Sequence, residues 1–433
     1  MEILNRVKER SHFMGLLLRP TLRRIHCNNR FFRSFNTHKA TMKRFFISLL
    51  SLLFLLAVLP DSGISQPPLK VGSLIPFTGR WENSGREFAK GMLDASKWLN
   101  QRGGIFGMKL EVLLMDDTSR PGETVAAFRK LNESDQILLL YIYSTDTALA
   151  LLPHIHFNRI PTLVSSIPSH LTNPSKYPYI FSINPTALDL SKISIKFISE
   201  RSGIKSRKPK IIFTGSPDQA NQFFLDEAKE YARGMGLHTG PDIWISHQSP
   251  PADMTVKRRF SPLSMMNSYN PDFAYLSLTP KEASFILQES KEMGLRTRWI
   301  CNMKAFDESL VAYDGVFGVQ PISPFGEDVP GMAGIKEAHQ RWHPYDSHTL
   351  SYVEGWATVQ VIGEALERAL SEQGYSRERV KLALESFKDF VVGGLIPPLT
   401  ITDKDHRPSV ESRIFIIKDR KISRYTEFIS IGR

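Results

Sequence analysis

The run Tyr143-Ser144-Thr145-Asp146-Thr147 holds the densest set of groups in this chain able to grip a small ligand. An apolar strand, Gln136–Tyr143, passes directly into residues of helix-capping type, and a helix follows over Thr147–Phe157. One hydroxyl of such a run caps the helix by accepting a backbone N–H. Another, together with the N–H groups left open in the first turn, suits a carboxylate, because a helix N-terminus carries positive potential. Capping alone is the simpler role for Ser144 and Asp146, and the residues by themselves leave both roles open.

Arrangements that would do covalent or metal chemistry are weaker. The chain has no G-x-S-x-G, H-E-x-x-H, Walker A or G-x-G-x-x-G motif. His154 and His156 stand two apart on a predicted helix and so face different ways, whereas a metal pair on a helix needs a spacing of three or four. His339 and His343 have that spacing, with Glu337 nearby, but Pro344 ends the helix at once. Cys301 has no histidine partner in its local sequence and reads as a packed thiol. The residues by themselves nominate no catalytic group, no metal site and no cofactor.

Strands and helices alternate along the chain in a way that positions such a site. Leu69–Pro76 is a short apolar strand, Phe88, Met92, Ala95 and Leu99 recur at helical spacing, Gly103-Gly104 ends that helix, and Met108–Met115 is a second strand closing on Asp116 and Asp117. Further strands are predicted at Ile160–Val164, Tyr179–Asn184, Lys210–Thr214, Ile243–Ser246, Phe273–Leu278 and Trp299-Ile300. Helices are predicted at Ala187–Ser202, Ala220–Gly234, Lys281–Met293, Gly331–Trp342, Leu350–Ser371 and Ser376–Lys388. Ile396–Ile401, Arg413–Lys418 and Ile422–Phe428 read as closing strands. Strands that alternate with helices of ten or more residues build parallel sheets covered on both faces, and there are enough of them for two. A length of 433 residues also favours two compact lobes.

The net charge of +11 suggests a polyanion partner until it is located. Residues 1–65 hold 11 Lys/Arg against 3 Asp/Glu, so the remaining 44 basic and 41 acidic residues leave only +3. That gives no footprint for nucleic acid. Met42-Lys43-Arg44, the apolar run Phe45–Leu59 and the small residues Gly63 and Ser65 fit an export signal cleaved before Gln66, with an uncleaved N-terminal anchor as the competing reading, Met42 as the start and residues 1–41 as a non-native extension. The run is short for a spanning helix, which needs about 20 apolar residues. The second cysteine, Cys27, falls before that start, so no disulfide is expected in the mature chain, and no cysteine follows the apolar run to anchor a lipid.

Val71, Gly72, Pro76, Thr78, Gly79, Gly85, Gly91, Gly103, Gly104, Ile105, Gly107, Asp116 and Asp117, in that order over some fifty residues, resemble the opening of the leucine/branched-chain amino-acid binding family of periplasmic receptors for ABC transporters. The closing segment ITDKDHRPSVESRIFIIKDRKI is similar to the family's last hairpin, with Asp403 and Arg407 in place and His406 where an acid or small residue is usual. The resemblance spans about Lys70 to Phe428. It implies an α/β, two-lobed, type I periplasmic-binding-protein fold, each lobe a mainly parallel sheet flanked by helices, with three hinge crossovers near Pro185, Pro321 and Val392. Residues 66–185 and 322–392 would form lobe 1, and 186–321 and 393–433 lobe 2. It further implies a periplasmic monomer that takes an amino acid, amide or organic acid and hands it to ABC permease and ATPase subunits. A periplasmic sensor on the same fold and an exported α/β enzyme acting on a small acid are the competing functions.

The resemblance also nominates site residues. Ser144 and Thr145 align with the family's serine-rich carboxylate turn, and Ser165 and Ser166 with the next ligand strand end, where Ile167 replaces a ligand-binding threonine. Trp81 either lies over the ligand as an aromatic wall or packs in the interior. In the second lobe Gln219 replaces an aromatic residue that closes over an amino acid, Thr279 replaces a tyrosine, and Met303 and Lys304 stand where an acid meets the ligand ammonium. An ammonium taken out of water needs a carboxylate or several acceptors. Either Asp218 supplies that charge, or the ligand has no ammonium and Lys304 meets its polar end; the second reading is preferred.

Overall fold

In the computed structural model, residues 66–433 are described except 80, 119, 166, 216–218, 246–262 and 372–374. The expected signal segment, Met42 and Cys27 therefore lie outside the described residues, as do Ser166 and Asp218.

The first sheet is built from β1 (Leu69–Ile75), α1 (Glu82–Gln101), β2 (Leu110–Asp116), α2 (Pro121–Arg129), β3 (Leu139–Ile142), α3 (Thr145–Asn158), β4 (Thr162–Val164) and β5 (Ile180–Ser182). Its strands are all parallel in the order β2-β1-β3-β4-β5. The three strands β3 to β5 are buried throughout, as strands covered on both faces must be. Helix α1 turns Phe88, Met92 and Ala95 inward. It ends at Gly103 and Gly104, whose φ angles of 102° and 67° suit residues without a Cβ.

The chain then enters a second sheet through α4 (Ala187–Arg201), β6 (Lys210–Gly215), α5 (Gln219–Gly234), β7 (His238–Thr239), β8 (Ile243–Trp244), α6 (Ser264–Tyr269), β9 (Phe273–Ser277), α7 (Pro280–Met293), β10 (Arg298–Cys301) and β11 (Phe317–Gln320). It returns to the first sheet's side in α8 (Met332–Trp342), α9 (Leu350–Leu370) and α10 (Arg377–Glu385). It finishes in the second sheet as β12 (Glu411–Lys418), β13 (Lys421–Arg424) and β14 (Ile429–Ser430). Strand β12 runs antiparallel between β11 and β13, so this sheet is mixed. The result is a two-lobed α/β fold, one sheet parallel and one mixed, between which the described chain crosses after β5, after β11 and between α10 and β12.

Helices α1 and α9 touch backbone to backbone. A Cβ on Gly91 would sit 2.0 Å from the Tyr352 carbonyl oxygen, and one on Gly355 would sit 2.1 Å from that of Phe88. This contact fixes α9, and with it the side chain of Glu354, against the first sheet.

Two expectations differ from the structure. Ile396–Ile401 is not a strand: Pro397 and Pro398 have no N–H to give a ladder, and the segment makes only an isolated Phe390–Leu399 bridge. Ile422–Phe428 is broken into β13 and β14. Helix α2, strand β7, helix α6 and strand β11 lie outside the elements read from the sequence.

Candidate ligand-binding cleft

The acids that close β2 anchor the loops around the carboxyl ends of the first sheet. Asp116 accepts the Phe77 N–H at 2.8 Å and the Thr78 hydroxyl at 3.1 Å, fixing the loop after β1. Asp117 accepts the Thr147 hydroxyl at 2.5 Å and so holds the first turn of α3. Ser144 is the N-cap of α3 and accepts the Thr147 N–H at 3.4 Å, with Thr145 half-buried at the first helical position.

Ser165, at the end of β4, is fully buried, and its hydroxyl donates to Glu354 Oε1 at 2.7 Å. Asn184, just past β5, donates to the same Oε1 at 2.8 Å and to the Ser165 carbonyl at 3.0 Å. From the second lobe, Lys304 Nζ donates to Ser165 Oγ at 2.7 Å and to Glu354 Oε2 at 3.4 Å. It also lies 4.2 Å from the centre of the Tyr143 ring. Burial pulls the Lys304 ammonium down, but Glu354 and Tyr143 outweigh it and hold the group above the usual lysine range. Burial pushes the Tyr143 phenol up. Both lobes thus meet at one buried, charge-balanced knot.

The turn that carries Lys304 is itself braced. Asn302 Oδ1 accepts the Ala305 N–H at 2.8 Å, and Gln320 Nε2 donates to the Met303 and Phe306 carbonyls at 3.1 and 3.3 Å. Met303 is buried beside Lys304. Ser84, Tyr143, Met303, Lys304, Gln320 and Glu354 help to line a cavity of about 20 Å³, room for one water. The cleft in this structure is thus closed on its own side chains.

A second bridge joins the lobes one helical turn away. Glu308, between β10 and β11, accepts the Leu350 N–H at 2.8 Å and so caps α9 from the opposite lobe. Burial, reinforced by the neighbouring charges of Asp307 and Glu87, pushes its carboxyl up to about 7 even though backbone N–H groups favour the charged form.

Of the residues nominated from sequence, Ser165, Met303 and Lys304 come together. Thr279 does not join them as a ligand group: its hydroxyl donates to Glu282 Oε2 at 2.8 Å and accepts the Glu282 N–H at 3.3 Å, which commits it to a capping box on α7. Ser144 is likewise committed to its cap. Trp81 is half-buried against the interior at the start of α1. Gln219 begins α5, while Ser166 and Asp218 are outside the described residues. Glu354, Asn184 and Tyr143 were not nominated. The signal for Glu354 was a lone acid in the apolar face of α9, where Tyr352, Val353, Trp356 and Ala357 are all buried around it.

Elsewhere, His343 leaves the end of α8 to meet Asp94, with Nε2 3.0 Å from Oδ2. His348 stacks on Tyr352 at 3.7 Å and is held down to about 4 by burial and by the neighbouring histidines. No group of three or more His, Cys, Asp and Glu among the described residues can hold a metal ion. Cys301 is a buried free thiol that burial pushes well above its usual range.

The comparisons agree with this architecture. The family described as periplasmic binding protein matches residues 68–421. The chain is 22% identical over 359 residues to a Leu/Ile/Val-binding protein homolog 7 of Brucella suis biovar 1 (strain 1330), which covers 76% of this chain and 84% of that one. A branched-chain amino acid ABC transporter structure from Thermus thermophilus with bound valine superposes with a TM-score of 0.74 at 20% identity, covering 84% of this chain and 97% of that one. A fatty acid ABC transporter substrate-binding protein from Thermomonospora curvata does so with a TM-score of 0.70 at 20% identity, covering 85% and 92%.

Proposed function

The chain belongs to the periplasmic binding protein family, and from that membership we propose that it is the extracytoplasmic solute receptor of an ABC importer. It captures a small carboxylate-bearing molecule between its lobes and presents the closed form to a permease. Closing is a population shift: a ligand that touches both lobes only in the closed form biases the hinge by that difference in contact. We take residues 66–185 and 322–392 as one lobe and 186–321 and 393–433 as the other. The bonds of His406 to Ile180 and Glu385 favour moving the third crossover beyond His406.

The ligand brings no ammonium in this reading. The observation that carries it is Lys304, whose own ammonium fills the position beside Glu354 and Ser165. A second cation there would meet a like charge in a desolvated place. Relatives of the same fold are described with ligands as different as valine and fatty acid, so the fold leaves room for a ligand that is an acid alone. Calorimetry against leucine, its amide, and an aromatic or dicarboxylic acid tests this. Binding is expected only among the acids, and micromolar leucine binding would sink the reading. Mass spectrometry of whatever co-purifies with the protein identifies the natural ligand and shows whether it is converted.

A further inference from the structure

Three groups of the first lobe converge on one point: the Oε2 atom of Glu354, the Ser165 hydroxyl oxygen and the face of the Tyr143 ring. Each belongs to a different element, and Glu354 and Ser165 are bonded to each other apart from Lys304. Glu354 is positioned by the α1–α9 backbone contact and by two neutral donors, Ser165 Oγ and Asn184 Nδ2, both on Oε1. That division leaves Oε2 turned toward the cleft. Because the Ser165 hydroxyl gives its proton to Glu354, its lone pairs are the part that faces Nζ. Tyr143 follows β3 and is buried on the same side. A carboxylate oxygen, a hydroxyl acceptor and an aromatic face around one position are what a primary ammonium needs: a counter-charge, acceptors for its N–H groups and a ring quadrupole.

We propose that the first lobe carries a complete ammonium site of its own, which Lys304 occupies as a tethered guest, so that removing the lysine side chain turns the cleft into a receptor for free primary amines. The tether is why the native protein ignores them. A group held across the cleft acts at an effective concentration in the millimolar range or above, which dilute amines do not match. The inference concerns the first lobe alone and stands whatever acid the native cleft takes. A failure of the acid-binding test leaves it untouched, and its own failure leaves the importer reading in place.

The test is chemical rescue. Lys304→Ala deletes the atoms from Cγ to Nζ, which together are propylammonium. Propylammonium chloride is expected to raise the melting temperature of that variant by about 2 °C at ten times its Kd, measured against sodium chloride and tetramethylammonium chloride at equal ionic strength. The unaltered protein and the Lys304→Ala/Glu354→Gln double variant are expected to show no such rise. Lys304→Met keeps most of the packing and leaves only the position of Nζ open, so the ammonium ion itself is the probe there, with the same expectation against sodium. A response to tetramethylammonium equal to that of propylammonium, a rise of the same size in the unaltered protein, or folded variants that answer to neither probe would overturn the proposal.

Discussion

On the first lobe, Ser165, Asn184 and Glu354 are buried and hydrogen-bonded to one another, on two strand ends and a helix that is itself held by the close backbone approach of α1 and α9 at Gly91 and Gly355. The second lobe reaches the same place with a single long side chain, Lys304, rooted in a turn after β10. One face of the cleft is thus entrenched and the other is exchangeable. A change of charge on the first lobe disturbs a whole hydrogen-bonded group, whereas a change on the second alters one side chain whose root is fixed by Asn302 and Gln320. If the proposed cleft is the binding site, its ligand preference is expected to be altered more readily from the second lobe.

The largest expected effect comes from breaking the entrenched side. Glu354→Leu leaves the Lys304 ammonium in a poorly solvated cleft with no carboxylate, only Ser165 and Tyr143, to receive it. Losing one partner of such a pair costs about 3 kcal/mol, read as a fall in the urea midpoint, and Lys304→Met in the same chain should recover much of it. A loss no greater in Glu354→Leu than in Lys304→Met would show that the first lobe is no more committed than the second.

An intermediate effect is expected from pH. Glu308 in the closed form has its carboxyl raised to about 7, against an ordinary value of 4.5. The closed form therefore binds a proton more tightly than an open form in which Glu308 is solvated. This contribution is complete below the ordinary carboxyl range, is lost as pH rises through about 7, and does not change further above it. Asp307 and Glu87 face the same group and reinforce the sign. Small-angle scattering of the ligand-free protein should show a smaller radius of gyration at pH 6 than at pH 8, and Glu308→Gln should flatten that difference. An unchanged pH response in Glu308→Gln removes Glu308 from the account.

The smallest effects belong to residues that the resemblance nominated but the structure commits to caps. Thr279→Ala and Ser144→Ala should each cost about 1 kcal/mol of stability through loss of a helix cap, while ligand affinity by calorimetry stays within about twofold of the native value. A tenfold loss of affinity in Ser144→Ala would return that hydroxyl to the site and enlarge the first lobe's share of it.

Much of the fold was legible because it rests on local pattern. The alternation from Leu69 to Cys301 gave nearly every strand and helix within a few residues, since apolar period, proline and glycine act over short distances. The misreading at Ile396–Ile401 came from weighing apolar content above two prolines. The residues that meet in the candidate cleft were legible only at strand ends, as at Ser165 and Lys304. Glu354 acts across 189 residues from Ser165, a pairing that no local window contains. The glycines at positions 91 and 355 were equally opaque. A glycine suggests a turn, yet here both sit inside helices, and their role depends on the partner backbone.

The cap that Glu308 places on Leu350 makes one amide of the molecule a clock. In most helices the first N–H groups are held by side chains of the same chain segment, so their exchange with solvent deuterium reports local fraying. The Leu350 amide is held from the other lobe, and its protection lasts only as long as the lobes stay together. Its exchange rate, followed by NMR or by mass spectrometry of a peptide spanning the start of α9, would time the opening of the clamp without any label or added ligand. Ligand binding would be seen there as a slowing of that single proton.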